Sequence, residues 1–372
     1  MTGNAYSPHV RARDVAATST PHLAAAPPEA RQLKVGVGLY TGQGSTVSGE
    51  GYRDAIVLAR AAEEAGFDSF WVSEHHGWDD AYLPSPLVLL AALAGVTDRI
   101  ELGAGLVLAP LYHPVRLASD VAVLDQLSCG RLILGLGLGY IDKEYATFGV
   151  ERSSRAARLD DVIEVLRRAG TGLPFSYAGR SIVLDDVRVT PPVSRPGGVP
   201  VWLGAYSDDA VRRAGVSADG HLIGRGSPHI IESANRLLAG VRQPDAPSFT
   251  RAVNITVVLE DEGGSAASAR AAFAAQQLTY ERVQHGANVY SSMIPDPSGG
   301  EELSEGSIDS YIQIAGDVAD VVVGVRRVIE QLSGWRTVHL VLRVLFPGEP
   351  TEVQVERLRI LGSSVLPEVR RL

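Results

Sequence analysis

Cysteine is almost missing from this chain of 372 residues. Cys129 stands alone, so no internal disulfide forms and the fold must rest on its packed core. One free thiol fits a reducing cytoplasm. Long apolar runs are lacking too. None reaches the roughly 20 residues that a helix needs to cross a bilayer. No run of Lys or Arg makes a stripe, and 43 acidic residues outnumber 34 basic ones, for a net charge of −9. That balance argues against nucleic acid as a partner. Residues 1–31 are rich in Ala, Pro, Thr and Arg but lack the continuous apolar core of a secretory signal. Arg11, Arg13 and the Ser/Thr content are faintly like a transit peptide, but the composition better fits a disordered leader ahead of one domain over 32–372. Two hydrolase signatures are also absent. There is no Gly-x-Ser-x-Gly elbow, and neither His-x-His nor a cysteine pair to hold a metal.

What the chain does have is a regular alternation of apolar strands and helices. Lys34 to Tyr40 reads as a first buried strand. The helix Tyr52 to Ala65 is stopped by Gly66, a residue suited to a helix C-terminus. Phe70-Trp71-Val72 follows as the second strand. Ser85 is expected to cap the next helix, with Pro86 in its first turn and its end near Thr97. Ile100 to Ala109 is the third strand, and Leu117, Val121 and Leu124 make a helical stripe after it. Arg131 to Gly139 is the fourth strand, followed by a helix over 155–169. The alternation then breaks at 171–199, where prolines and glycines separate short β-prone runs. This predicts a hairpin excursion on the surface. It resumes with strands at 201–205, 221–224, 252–259 and 338–346 and helices between them. A long loop over 285–309, with prolines, glycines and five acids, precedes the eighth strand. Such a length suits a mobile lid or an insertion. Eight strands alternating with helices predict an α/β fold, a (β/α)8 TIM barrel with an insertion after the fourth helix.

Function in such a barrel belongs to the C-terminal strand ends. The second strand delivers Glu74, His75 and His76 there. Adjacent residues of an extended strand face opposite ways, so the two imidazoles do not grip one ion, and no metal site is expected. Tyr112 and His113 follow the third strand; Tyr140, Asp142 and Glu144 the fourth; Tyr206 and Ser207 the fifth; Arg225 the sixth. Arg343 lies in the eighth. Gly135, Gly137 and Gly139 alternate but lack the spacing of a dinucleotide turn. Bare backbone of this kind either admits a flat ligand or allows close packing of strand on helix.

Four stretches carry a resemblance. They are Gly66-Phe67-Asp68 with Glu74-His75-His76; Leu108 to Arg116; Leu124 to Arg131; and Gly139 to Tyr145 with Phe148-Gly149. In this order and spacing the chain resembles the bacterial luciferase-like flavin-dependent monooxygenases, well over residues 34–226 and loosely beyond.

The resemblance implies reduced FMN (FMNH2) bound at the barrel mouth, with O2 activated as a C4a-(hydro)peroxyflavin to oxygenate a small organic substrate. It implies His75 as the catalytic histidine, a group suited to proton work near neutral pH, with Glu144 as second catalytic candidate. Cofactor contacts are expected at Gly105 and Leu106, which carry the family's non-prolyl cis peptide. They are also expected at Gly137, Leu138, Gly139 and Tyr140 and at Ala205, Tyr206 and Ser207. The family's phosphate-binding arginine falls on Leu138, and Asp208 and Asp209 stand beside Ser207, so the phosphate is held in another way or the flavin is not FMN. Trp78, Tyr82, Tyr112, Trp202, Arg225 and Arg343 are the expected substrate-pocket residues. A separate flavin reductase and a homodimer are implied as partners. An F420-dependent oxidoreductase is the first alternative, and a non-catalytic flavin-binding paralogue or partner subunit the second. His75 speaks against the latter.

Overall fold

The computed structural model describes residues 31–39, 42, 50–244, 246, 248–260, 265–284 and 311–372. The loop expected at 285–309 lies outside them, as does the leader apart from Arg31. The strands are β1 (Gln32–Leu39), β2 (Ser69–Val72), β3 (Glu101–Leu108), β4 (Leu132–Gly137), β5 (Phe175–Ala178), β6 (Val183–Val187), β7 (Val201–Gly204), β8 (Gly220–Ile223), β9 (Thr250–Leu259), β10 (Ile314–Gly316) and β11 (Thr337–Leu345). Eight of them close a parallel barrel in the order β1-β2-β3-β4-β7-β8-β9-β11, and β11 pairs back with β1. β10 adds a short parallel strand beside the end of β9. Every residue of β2, β4 and β8 is buried, as helices covering a parallel sheet require.

The inside of the barrel follows the two-residue period of its strands. Trp71, Ile133, Trp202, Leu222, Ala252 and Val341 form an interior cluster of their own, with Leu106 packed on it. Trp71 and Trp202 stack with ring centroids 5.2 Å apart. Each faces a glycine on the next strand: Trp71 pairs with Gly103 and Trp202 with Gly220. A methyl group at 103 would sit 2.2 Å from the Trp71 ring, and one at 220 would sit 2.6 Å from Trp202. Below them, Ser69 Oγ accepts from Trp71 Nε1 at 2.7 Å and lies 2.6 Å from His339 Nε2. Burial, helped by Lys34, pushes His339 down to about 3, so this ring is a neutral part of the plug.

Helix boundaries match the expected pattern closely, with corrections. Pro86–Ala94 ends three residues before Thr97, and Ser85 makes no side-chain cap bond. The helix Val318–Gln331 has the true capping box, with Asp317 accepting from Ala319 and Asp320. A short helix, Asp142–Thr147, and a 3-10 turn, Arg152–Ser154, intervene between β4 and the helix Arg155–Ala169.

The surface excursion is the antiparallel hairpin β5–β6, and two buried aspartates pin it and its return to the barrel. Asp125 accepts from Ser194 N and Oγ at 2.6 and 2.7 Å. Asp161 accepts from Tyr177 Oη, Arg180 N, Ser181 N and Ser181 Oγ at 2.5–3.1 Å. Burial would raise the Asp161 carboxyl, but these four donors outweigh it and hold it below its ordinary range. Asp161→Ala should therefore cost about 3 kcal/mol in urea unfolding. A depressed folded-state pKa gives stability that is complete above the unfolded value, about 3.9 for Asp, and fades as pH falls through the lower folded one. The gap between wild type and variant should be full at pH 6 and shrink steadily below pH 4.

Candidate active site

A cavity of about 260 Å³ opens at the C-terminal end of the barrel. Its floor lies one layer above the tryptophans, because a Cβ on Gly105 would be 3.1 Å from Trp71. The Gly105-Leu106 peptide is cis, and both residues line the cavity. The alternating glycines of β4 serve packing. A Cβ at 135 would meet the Ala104 carbonyl at 2.3 Å, and one at 137 the Leu106 side chain at 2.8 Å. Gly204 likewise yields to Leu106, so glycines of two strands, β4 and β7, accommodate this one side chain.

His75 stands just past β2 in the cavity wall, 7% exposed. Its Nδ1 donates to Glu144 Oε1 at 3.0 Å, and the same oxygen accepts His76 N–H at 2.9 Å. A ring tied through Nδ1 leaves Nε2 as its free nitrogen. Trp78 stacks on the imidazole at 4.3 Å and 21°, while Tyr82, Tyr140 and Tyr280 meet it edge-on at 4.9–5.8 Å. Hydroxyls link Ser73 to Tyr82 at 2.6 Å and Tyr82 to Tyr280 at 2.8 Å. Burial, with Tyr82 and Tyr140 nearby, raises the Tyr280 phenol well above its ordinary range, so it stays protonated. His76 turns the other way, to Glu74 Oε1 at 2.6 Å and the Phe148 ring. Glu74 also accepts from Leu108 N and Tyr112 Oη, both at 3.0 Å. It is a brace joining β2 to the end of β3.

The expected site residues divide. His75, Gly105, Leu106, Gly137, Leu138, Gly139, Tyr140, Ala205, Tyr206, Ser207, Tyr82, Arg225 and Arg343 all line the cavity. Four do not. Glu144, 1% exposed, lies behind His75 and positions it. Trp78 backs the imidazole, Tyr112 is engaged by Glu74, and Trp202 is spent on the plug below. Asp208 and Asp209 turn outward to Arg212, at 3.8 and 3.7 Å, and do not line the cavity. Ser207 sits at the start of the helix Asp208–Ser217 without using its hydroxyl as a cap.

Sequence reading missed several lining residues: Ser73, Asn254, Gln277, Tyr280 and, above all, Arg152 and Arg155. The two arginines follow β4 by more than a dozen residues, and no motif marks them. The length of that βα connection was the available signal, since everything in it sits at the barrel mouth. Arg152 bonds Asp142 at 2.7 Å and keeps a buried Nε with no partner; Arg155 donates to the Arg152 carbonyl at 3.0 Å. The positive charge absent at Leu138 thus enters the same cavity from the following loop. Of the four resembling stretches, Leu124 to Arg131 lies at the opposite end of the barrel, where the Arg131 guanidinium bonds Ser128, Thr97, Ile100 and Ala94.

A family profile described as luciferase-like monooxygenase matches residues 33–302. The chain is 32% identical over 152 residues to an alkanal monooxygenase alpha chain of Photorhabdus luminescens, covering 41% of this chain and 42% of that one. It is 31% identical over 157 residues to the oxygenase component of a flavin-dependent trigonelline monooxygenase of Acinetobacter baylyi, covering 41% and 43%. The chain thus spans less than half the length of these curated relatives. Among solved structures, the oxygenating constituent of 3,6-diketocamphane monooxygenase from Pseudomonas putida, in complex with FMN, superposes with TM-score 0.70 at 18% identity, over 90% of this chain and 98% of that one. An F420-dependent secondary alcohol dehydrogenase gives 0.68 at 19%, over 91% and 99%. At such identities these two speak for the fold alone. Barrel, cis peptide, braced histidine and profile match agree, and the chain belongs to the luciferase-like monooxygenase family.

Proposed function

We propose that the protein is an FMNH2-dependent monooxygenase that uses O2 to oxygenate a small organic substrate, with FMNH2 delivered by a separate flavin reductase. The observation that carries this is His75, its Nδ1 tied to Glu144 and its ring in the wall of a cavity that also presents cations. The cavity fits FMN by its donor set. Arg152, Arg155, Ser207 and the start of the helix Asp208–Ser217 offer positive charge and N–H groups to a phosphate. Gly105, Leu106, Gly137, Leu138, Gly139, Tyr140, Ala205 and Tyr206 offer backbone and apolar walls to a ring system. When bound, reduced flavin supplies the electrons that activate O2. His75 holds or moves a proton at Nε2 beside the reacting atoms. Glu144 fixes its tautomer and direction, and the wall of Trp78, Tyr82, Tyr140 and Tyr280 keeps bulk water from it.

The name of the trigonelline enzyme, an oxygenase component, supports a separate reductase. The exposed Val88 and Leu127, on adjoining helices that flank β3, support burial against a second copy in a homodimer. The F420 reading shares the barrel, and one experiment separates the two. Under anaerobic conditions FMNH2 should bind and F420H2 should not, and admitting O2 to the FMNH2 complex should start turnover. Tight binding of F420H2 alone would overturn the FMN reading.

His75→Asn should lower turnover by ~10²–10⁴-fold while FMN affinity holds; unchanged turnover would remove the histidine from the chemistry. Arg155→Met should weaken FMN at least tenfold and leave riboflavin, which lacks the phosphate, as it was. An equal loss for both would show that Arg155 does not meet the phosphate. In sedimentation, Val88→Glu should shift a dimer toward monomer.

A further inference from the structure

Arg251, near the start of β9, is fully buried, and none of its hydrogen-bond partners is a carboxylate. Its Nε donates to Asn235 Oδ1 at 3.0 Å and its Nη1 to His221 Nδ1 at 2.8 Å. Nη2 is buried with no partner among the described residues. Burial pushes this guanidinium down to about 9, which leaves it a cation at neutral pH. A buried cation without an anion costs stability, so packing alone does not account for it.

His221 accounts for it. This residue pairs in register with Leu203 of β7 on one side and with Arg251 of β9 on the other. Its neighbour Leu222 belongs to the barrel interior, so the His221 ring faces the helix layer. There its Nε2 lies 2.9 Å from the Ala205 carbonyl oxygen. A guanidinium can only donate and a carbonyl can only accept. Both bonds therefore hold in one state of the ring, neutral, with Nδ1 bare and the proton on Nε2. Burial, and after it the Arg251 charge, push the ring well below its ordinary range and exclude the imidazolium. The lock is itself anchored. Asn235 Oδ1 also accepts from Trp335 Nε1 at 3.1 Å, and Asn235 Nδ2 donates to the Gln331 carbonyl at 2.8 Å.

Ala205 is the first of three residues that join β7 to the helix Asp208–Ser217, and all three line the cavity. The Ser207 carbonyl accepts from Val211 N at 2.9 Å, which ties the far end of this turn to the helix. His221 ties the near end. We propose that His221, locked in one tautomer by Arg251, is a positioning residue whose Nε2–H sets the Ala205-Tyr206-Ser207 turn in the shape that receives the flavin phosphate. His221 does not line the cavity and acts through the Ala205 carbonyl. The planar Ala205-Tyr206 peptide follows that carbonyl, and with it the course of the chain into the helix. The assignment rests on the flavin reading for what the turn binds, and on the hydrogen bonds for what holds the turn.

Two variants separate the two bonds of the ring. His221→Asn places an oxygen near the Nδ1 position and keeps a partner for Arg251, but it brings no donor to Ala205. His221→Gln places its amide near the Nε2 position and keeps that donor. The readouts, on the full chain, are amide hydrogen exchange over 205–207 and anaerobic titration with FMNH2. In His221→Asn the exchange should speed up and FMNH2 should bind about tenfold more weakly. His221→Gln should stay near wild type in both. Wild-type affinity in His221→Asn, or equal losses in the two variants, would overturn the assignment. Should His221→Asn not fold, nitrogen NMR of the wild-type imidazole decides. A proton on Nε2 alone is expected at neutral pH, and a proton on Nδ1 overturns the lock. If FMNH2 binds to none of the proteins, the flavin reading falls, and the exchange difference between the variants still decides whether His221 holds the turn.

Discussion

The volume inside a closed eight-stranded barrel is fixed, and each layer of inward side chains has to share it. Here two tryptophans take most of one layer. Trp71 and Trp202 stack across the interior, and Gly103 and Gly220 on the next strands give up their side chains to admit them. His339 and Ser69 complete the plug with a neutral hydrogen-bonded contact below. Everything above depends on that floor. It sets the depth of the cavity, supports Gly105 and the cis Gly105-Leu106 peptide, and makes interior columns end in polar residues such as Ser73, Asn254 and Arg343.

The His75 imidazole is held by elements far apart in the chain. β2 carries it to the mouth, and Glu144 reaches it from the short helix Asp142–Thr147. Tyr280 comes from the helix Ser265–Gln284. Glu144 Oε1 takes two donors, the His75 ring and the His76 backbone, so one oxygen fixes both side chain and main chain. Glu74 does the same for the opposite face, joining His76, Leu108 and Tyr112. Neighbouring acids and histidines on one short strand end thus serve separate tasks: one imidazole faces the cavity and the other braces the loop. Strand geometry sorts them.

The charge pattern of the mouth matters as much as its shape. The chain as a whole is acidic, at −9, yet the described residues that line the cavity include Arg152, Arg155, Arg225 and Arg343. An interior of low polarisability strengthens such a field.

Sequence by itself determined the barrel. Buried parallel strands need apolar residues on both faces, helices need their own period, and eight repeats of this alternation allow little else. It also determined which residues stand at strand ends, and so marked His75, Arg225 and Arg343, because a period of two fixes which way each side chain points. Tertiary structure alone decided the rest. Tyr112, Trp78 and Trp202 have the chemistry of pocket walls, but Glu74, the back of His75 and the barrel plug claim them. The glycines of β4 prove to make room for Leu106 and the Ala104 carbonyl. Arg152 and Arg155 reach the cavity through the fold of a long connection that no local pattern encodes. Those outcomes depend on which side chains compete for the same space. Competition of that kind is a property of neighbours in three dimensions, and neighbours along the chain do not report it.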